Sequence, residues 1–346
     1  MVSDGPMHRR TRRTLWIVAA VMLLLAVAIF LRSKAPPEAA RLLPESDGIL
    51  YINFKPFRPF LNKDLKPPQH DPEYQQFIDA VGFDPERDLD EAAIALHRMS
   101  DPNGPNGPVA YSMVLVGKIT GKRLNDWLDA HAAARESYAG HTVYSIPSEG
   151  RTVRVAQVGY DMVAVSNTPT PEQIHSMLDR HSTAAWPFAG STLLRQHYHD
   201  VPLLSLAWGV GQIGLPLADE RGGAINILGF SLPLQADSTI IASVTPALSL
   251  GGSLNVKVVE IAPSSAKAAS QSDALNMLLI MVRGIAAPLA DNAANKGLKE
   301  LLRTAEVKQE RDRVVVTATL DRSLFSGPAE STKSPANSSS VPETSK

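Results

Sequence analysis

Apolar and polar positions along this chain change their period repeatedly, and each change marks an element. The first apolar block is residues 15–31, LWIVAAVMLLLAVAIFL, seventeen residues without a charge. At about 1.5 Å per residue, such a helix is at the short end of what spans a hydrocarbon core. Residues 32–47, including the proline-containing APPEAARLLPESD, read as a stalk. GILYINF (48–54) has the β-branched and aromatic content of a strand. A helix is predicted over 72–81, with Gly82 as its stop. AAIALH (92–97) and VAYSMVLVGKI (109–119) predict strands around the turn-rich SDPNGPNGP. Residues 121–135 have helical period, with Leu124, Trp127, Leu128 and Ala132 on one face. Three short strands (HTVYSIP, RTVRVAQV and MVAVSN) and a helix from Pro171 to Arg180 complete the first half.

The second half has a similar order. PLLSLAW (202–208), STIIASV and SLNVKVVEIA predict strands, a long helical segment covers 265–290, and AEVKQERDRVVVTATL reads as a closing hairpin. The pattern therefore predicts an α+β protein. An N-terminal transmembrane helix precedes two similar modules of mainly antiparallel sheet packed with helices, at 48–190 and 191–325. Within the long helix, ALNMLLIMVRGIAAPLA (274–290) resembles a second span, but Arg283 sits near its middle. A central arginine costs about 2.5 kcal/mol or more on insertion scales. Leu275, Leu278, Val282, Ile285 and Leu289 recur at three and four, which predicts a core-facing helix. Residues 326–346, rich in Ser, Pro and Thr, predict a disordered tail.

Charge sets the orientation. Arg9, Arg10, Arg12 and Arg13 precede the first apolar block and Arg32 and Lys34 follow it. The heavier cluster stays in the cytoplasm, so residues 1–14 form a cytoplasmic segment and the main body is extracytoplasmic. A cleaved signal peptide is the competing reading; the length of the apolar run favours a retained anchor. The chain has no cysteine, which removes disulfides, thiolate metal sites and lipidation at cysteine. Six basic residues against Asp4 give residues 1–34 a charge of +5, which leaves −6 on residues 35–346 of the total −1. A mildly acidic body lacks the clustered positive face that nucleic acid needs.

Several stretches invite a chemical reading. FDPERDLDEA (83–92) spaces its acids like the start of a calcium loop, yet Leu89 stands where the loop needs glycine and Ala95 where it needs an acid. A capped helical turn fits it better, as in DPEY at Asp71 and TPEQ at Thr170. GVGQIG (209–214) matches GxGxxG, but no helix of adequate length and no ribose-binding acid follow. SSAK (264–267) has SxxK spacing without its companion motifs, so Ser264 or Ser265 reads as a helix cap. The nine histidines show no HxxxH or HExxH, and His197 and His199 point to opposite sides of a helix. No catalytic residue, cofactor site or metal site is assigned.

FKPFRPFLNKDLKPPQH (54–70) interleaves phenylalanines with cations close behind the stalk. Lys55, Phe57, Arg58, Phe60, Lys63 and Lys66 form a candidate surface for anionic headgroups or a membrane-bound partner. The competing reading is a strand end whose phenylalanines fill the core.

Residues 47–54, the Gly82–Pro85 turn and the Asp88–Leu89 pair together resemble a loose group of bacterial membrane-anchored proteins of unknown function. The resemblance covers mainly residues 43–170. It implies an α+β body in the bacterial envelope, at the inner membrane, and brings no catalytic residue with it. The leading expectation is a non-enzymatic single-pass protein, held in the bilayer by residues 15–31, that binds an envelope protein or another envelope component. The alternative is an anchored hydrolase whose site is assembled from distant residues such as His97, His141 or Asp161.

Overall fold

The computed structural model describes residues 16–23, 35–56, 71–119, 121–183, 189–212, 224–227, 230–233, 238–247, 253–290 and 293–320. Its first half contains α1 (Glu38–Leu42), β1 (Gly48–Asn53), α2 (Pro72–Val81), α3 (Pro85–Asp88), β2 (Leu89–Arg98) and β3 (Val109–Gly117). There follow α4 (Lys122–His131), β4 (Ala134–Tyr138), β5 (His141–Ser148), β6 (Arg151–Gln157), β7 (Met162–Ser166) and α5 (Glu172–Ser182). After α6 (Thr192–His197) and a 3-10 turn (Tyr198–Asp200) come β8 (Ala207–Gln212), β9 (Ala224–Ile227), β10 (Phe230–Pro233), β11 (Thr239–Pro246) and β12 (Leu254–Ile261). The last elements are α7 (Ser265–Ala286), α8 (Ala293–Thr304), β13 (Glu306–Glu310) and β14 (Arg313–Leu320).

Twelve of these strands make one sheet, in the order β13-β14-β12-β11-β8-β1-β2-β3-β7-β6-β5-β4, and β9 pairs with β10 separately. Every pair is antiparallel. The α+β class with a large antiparallel sheet is thus the observed one. At its centre β1 meets β8, with Ile49 opposite Val210 and Tyr51 opposite Trp208.

Alternation along the strands divides the core between two faces. One face collects Ile49, Tyr51, Ala95, Val114, Trp208, Val210 and Ile241, and α1, α5 and α6 close it. Ile174, Met177 and Leu178 of α5 recur at three and four and are fully buried there. On the other face α2 and α4 cover the outer strands of the first half, with Val81, Leu124 and Leu128 packed with Tyr144, Val155 and Val163. On that same face Ala268 of α7 packs with Val314.

Local chemistry explains the helix ends. The Asp71 carboxylate accepts the Glu73 N–H at 3.1 Å, Pro72 takes the first position, and Gly82 ends α2 at φ 72°. The helix predicted over 121–135 stops at His131 instead. Arg135 belongs to β4 opposite Tyr144, and its guanidinium reaches back to the Asp129 carboxylate at 2.8 Å. Thr170 is not a cap either: α5 begins after Pro171 without a side-chain cap. The strand predicted over 202–208 starts only at Ala207, because Ser205 folds its N–H and hydroxyl onto the Pro202 carbonyl.

Residues 16–23 are helical with exposed side chains. The rest of the predicted span 15–31 lies outside the described residues, as do residues 1–14 and the tail 326–346. Among the described residues no helix is long and apolar enough to cross a membrane.

One buried group is electrostatically costly. Glu260 of β12 is 5% exposed and its Oε1 has no hydrogen-bond partner among the described residues. Burial raises its pKa above the usual carboxylate range, offset only in part by the Ser238 hydroxyl. A folded-state pKa above the unfolded one gives a contribution that is present below the unfolded value and lost as pH rises through the folded value. Glu260→Gln is therefore expected to stabilise the protein at pH 7, on the order of 1 kcal/mol. The gain should vanish toward pH 4 in urea titrations; an equal gain at both pH values would refute the assignment.

Candidate functional site: an apolar helix surface and a sealed histidine network

α7 starts where Ser264 accepts the Lys267 N–H at 3.3 Å, so the SSAK serine is a cap. The N-terminal half of α7 buries Ala268, Gln271 and Ser272. Its C-terminal half does the reverse. Met277 is 75% exposed and Ile280 69%, and Met281 and Ile285 are also exposed. The spacing of i, i+3, i+4 and i+8 makes these four a single stripe, which Leu289 extends beyond the helix end. The predicted core-facing set is only partly right. Leu275 packs on the core and Leu278 and Val282 are half-buried, whereas Ile285 and Leu289 are exposed.

Arg283 is kept off that stripe. Its Nε donates to the Leu302 carbonyl at 2.8 Å and its Nη2 to the Ala305 carbonyl at 2.6 Å. These carbonyls lie at and just beyond the C-terminus of α8, where unpaired acceptors and the negative dipole end favour a cation. The arginine in the apolar run is therefore a cap for the neighbouring helix. A groove of about 490 Å3 runs beside it, lined by Ala286, Ala287, Lys299 and Leu302 among others.

The candidate enzyme residues are arranged differently. His97 Nε2 lies 3.0 Å from Ser112 Oγ, Ser112 Oγ 3.2 Å from Ser166 Oγ, and Ser166 Oγ 2.9 Å from Thr168 Oγ1. The Thr168 hydroxyl then donates to the Thr170 carbonyl at 3.0 Å. Burial lowers the His97 pKa, against the Asp47 charge and the Glu45 carbonyl. A neutral histidine beside a serine resembles a nucleophile pair, but Ser112 and Ser166 have no exposed surface at all. This polar string ties β2, β3 and β7 together and offers no reacting atom to a substrate. His141 binds the Gln157 carbonyl elsewhere, and Asp161 is an exposed turn residue. The three candidates share no partner among the described residues.

The remaining motifs resolve locally. Asp84 caps α3 by accepting the Glu86 N–H at 3.0 Å, and Asp88 accepts the Asp84 N–H at 3.0 Å. The acids of FDPERDLDEA thus hold a helical turn that leads into β2. Among the described residues no group of three or more His, Asp or Glu is placed to hold a metal ion. Gly209 and Gly211 of GVGQIG lie within β8 rather than on a strand-to-helix loop. A Cβ on Gly209 would come within 2.7 Å of the end of the Leu50 side chain, so a larger residue there requires Leu50 to shift.

Of the basic-aromatic surface, Lys55 is exposed and 3.5 Å from the Asp90 carboxylate. Phe57, Arg58, Phe60, Lys63 and Lys66 lie outside the described residues. Two features are not anticipated by the sequence patterns: the outward stripe of α7, and the Pro202–Ser205 turn, where Leu204 is 82% exposed at φ 67°. The hydropathy of 274–290 is the available signal for the stripe.

No family model matches the chain, and no curated protein matches it. Among solved structures it is similar to crystal form III of TP0453, with a TM-score of 0.46 and 11% identity over 84% of this chain and 96% of that one. Crystal form I of TP0453 gives a TM-score of 0.42 and 12% identity over the same shares.

Proposed function

We propose that this protein is a single-pass, membrane-anchored extracytoplasmic protein that binds an envelope protein or another envelope component without catalysing a reaction. The exposed stripe of α7 carries this reading. Large apolar side chains grouped on one surface mark contact sites, and methionine adapts to irregular partners. The uncharged run 15–31 with its basic flanks supports the anchor and the orientation, with the N-terminus in the cytoplasm of a bacterial inner membrane. Strand order supports two related modules. Outward from the centre, β1-β2-β3-β7-β6 on one side is echoed by β8-β11-β12-β14-β13 on the other.

The test is co-purification of the full chain from its native membranes in mild detergent, beside a Met277→Glu/Ile280→Glu variant. Both side chains are mostly exposed, so the variant is expected to fold. The expected result is a stoichiometric partner with the wild type and at least tenfold less with the variant. A wild-type chain recovered alone would overturn the binding reading. Equal recovery with both would take the site away from α7.

A further inference from the structure

A second concave site lies beside α6, on the opposite face of the sheet from α7. It is a cleft of about 440 Å3 whose walls include Pro36, Leu194, Tyr198, Val201 and Leu203. That volume is toward the lower end of the range for pockets that hold one small molecule, about 300–1,000 Å3. The walls are largely apolar, and the polar side chains of Arg195 and His199 also line the cleft. His199 faces Asp200 at 3.4 Å, and Asp200 is itself held by Arg313 at 2.7 Å. Arg195 makes no ion pair among the described residues. Its guanidinium meets the Thr192 hydroxyl of its own helix at 3.4 Å, a long contact that leaves most of its donors without a partner among the described residues.

The lip of the cleft is unusual. Leu203 and Leu204 are 57% and 82% exposed, and Leu204 holds the left-handed conformation that disfavours every side chain of its kind. The Ser205 hydroxyl and N–H, both on the Pro202 carbonyl, keep the turn in that shape. The other wall begins at Pro36, five residues beyond the end of the apolar run at Leu31. Five residues reach about 18 Å at most. With residues 15–31 in a bilayer, Pro36 and the cleft wall it forms stay within that distance of the membrane.

We propose that this cleft binds a long-chain carboxylate drawn from the adjacent leaflet. Its alkyl chain lies along Pro36, Tyr198 and Leu203, and its headgroup pairs with Arg195. A planar guanidinium with free donors matches one carboxylate in two parallel hydrogen bonds. An apolar wall with one cation that has no ion-pair partner among the described residues suits an amphiphile of one negative charge. The proposal rests on the anchored reading for the source of the ligand, but not for the site itself.

The test uses the full chain in its native membranes and a dodecanoate bearing a photoreactive diazirine on its alkyl chain, with crosslinks mapped by peptide mass spectrometry. Labelling is expected within residues 193–204, competed by dodecanoate but not by dodecanol, and at least tenfold lower in Arg195→Gln. Leu203→Asp, at an exposed position, should lower labelling without disturbing the fold. Label spread over the surface, equal competition by dodecanol, or undiminished labelling of Arg195→Gln would each overturn the proposal. Alkaline extraction of the same sample tests the anchor separately. A chain released to the supernatant refutes the anchor, while the map of the crosslinks still decides the cleft.

Discussion

Trp208→Ala is expected to destabilise the protein by about 3–5 kcal/mol, the usual cost of truncating a large buried aromatic. Trp208 lies on β8 directly opposite Tyr51 of β1, where the two halves of the sheet meet, and is 4% exposed. Its ring stacks on Tyr51 at 5.5 Å and receives Tyr198 edge-on at 5.4 Å. The truncation removes both contacts and leaves a cavity at the centre of the α1–α5–α6 face. The Tyr51 hydroxyl sits in surroundings dry enough that burial, reinforced by the Glu91 charge, raises its pKa. Urea unfolding followed by circular dichroism should show a lower midpoint, and Trp208→Phe should recover roughly half of the difference, since it keeps one stacked ring. A loss under about 1 kcal/mol would mean that the β1–β8 seam is not held by this cluster.

The elements are legible in the sequence where the signal is local. Asp71, Pro72, Glu73 and Gly82 specify α2 from start to stop, and each acts within a few residues. The alternation in β3 and the β-branched and aromatic content of β5 and β14 likewise identify strands without knowledge of their partners. Pairing is not legible in the same way. Ile49 meets Val210 with every element from α2 to the 3-10 turn lying between them in the chain, and nothing nearby in sequence says that β1 is the central strand. Long-range pairing is decided by which faces the whole core can bury, a property of the ensemble of strands. α7 shows a third case. Leu275, Leu278 and Val282 make one apolar face, and Met277, Ile280, Met281 and Ile285 make another, so the period alone cannot say which is inside. Packing against Val314 and the capping of α8 by Arg283 turn the second face outward. His97 is a candidate by residue type, but its sealing by Ser112 and Ser166 depends on the register of β2, β3 and β7.

The second large effect concerns a glycine that no local sequence pattern singles out. Gly117→Ala is expected to cost about 3 kcal/mol, at the upper end for an overpacked site. A Cβ at Gly117 would stand 2.3 Å from the Asp88 carbonyl oxygen and 3.0 Å from the Leu89 Cα. Those are backbone atoms, so no rotamer change relieves the clash. The two strands are also pinned on either side of it. The Lys118 N–H donates to that same Asp88 oxygen at 3.0 Å, and the Gly117 N–H donates to the Asp161 carbonyl at 2.9 Å. The β2–β3 register slips between Leu89 and Glu91, which brings the chain close at this corner. Gly107 supplies the contrast, because it has φ 67° and nothing within 4 Å of the point where a Cβ would stand. Its requirement is conformation alone, so Gly107→Asn should be nearly neutral, since asparagine tolerates the left-handed region. Gly117→Asn should be at least as damaging as Gly117→Ala. Thermal melts of the three variants separate the two causes: near-equal losses at both positions would show that space at Gly117 is not the constraint. The acidic stretch lies at the same corner. Asp84 and Asp88 close the α3 turn with local hydrogen bonds immediately before β2 comes close to Gly117, so their carboxylates are engaged at this corner of the sheet.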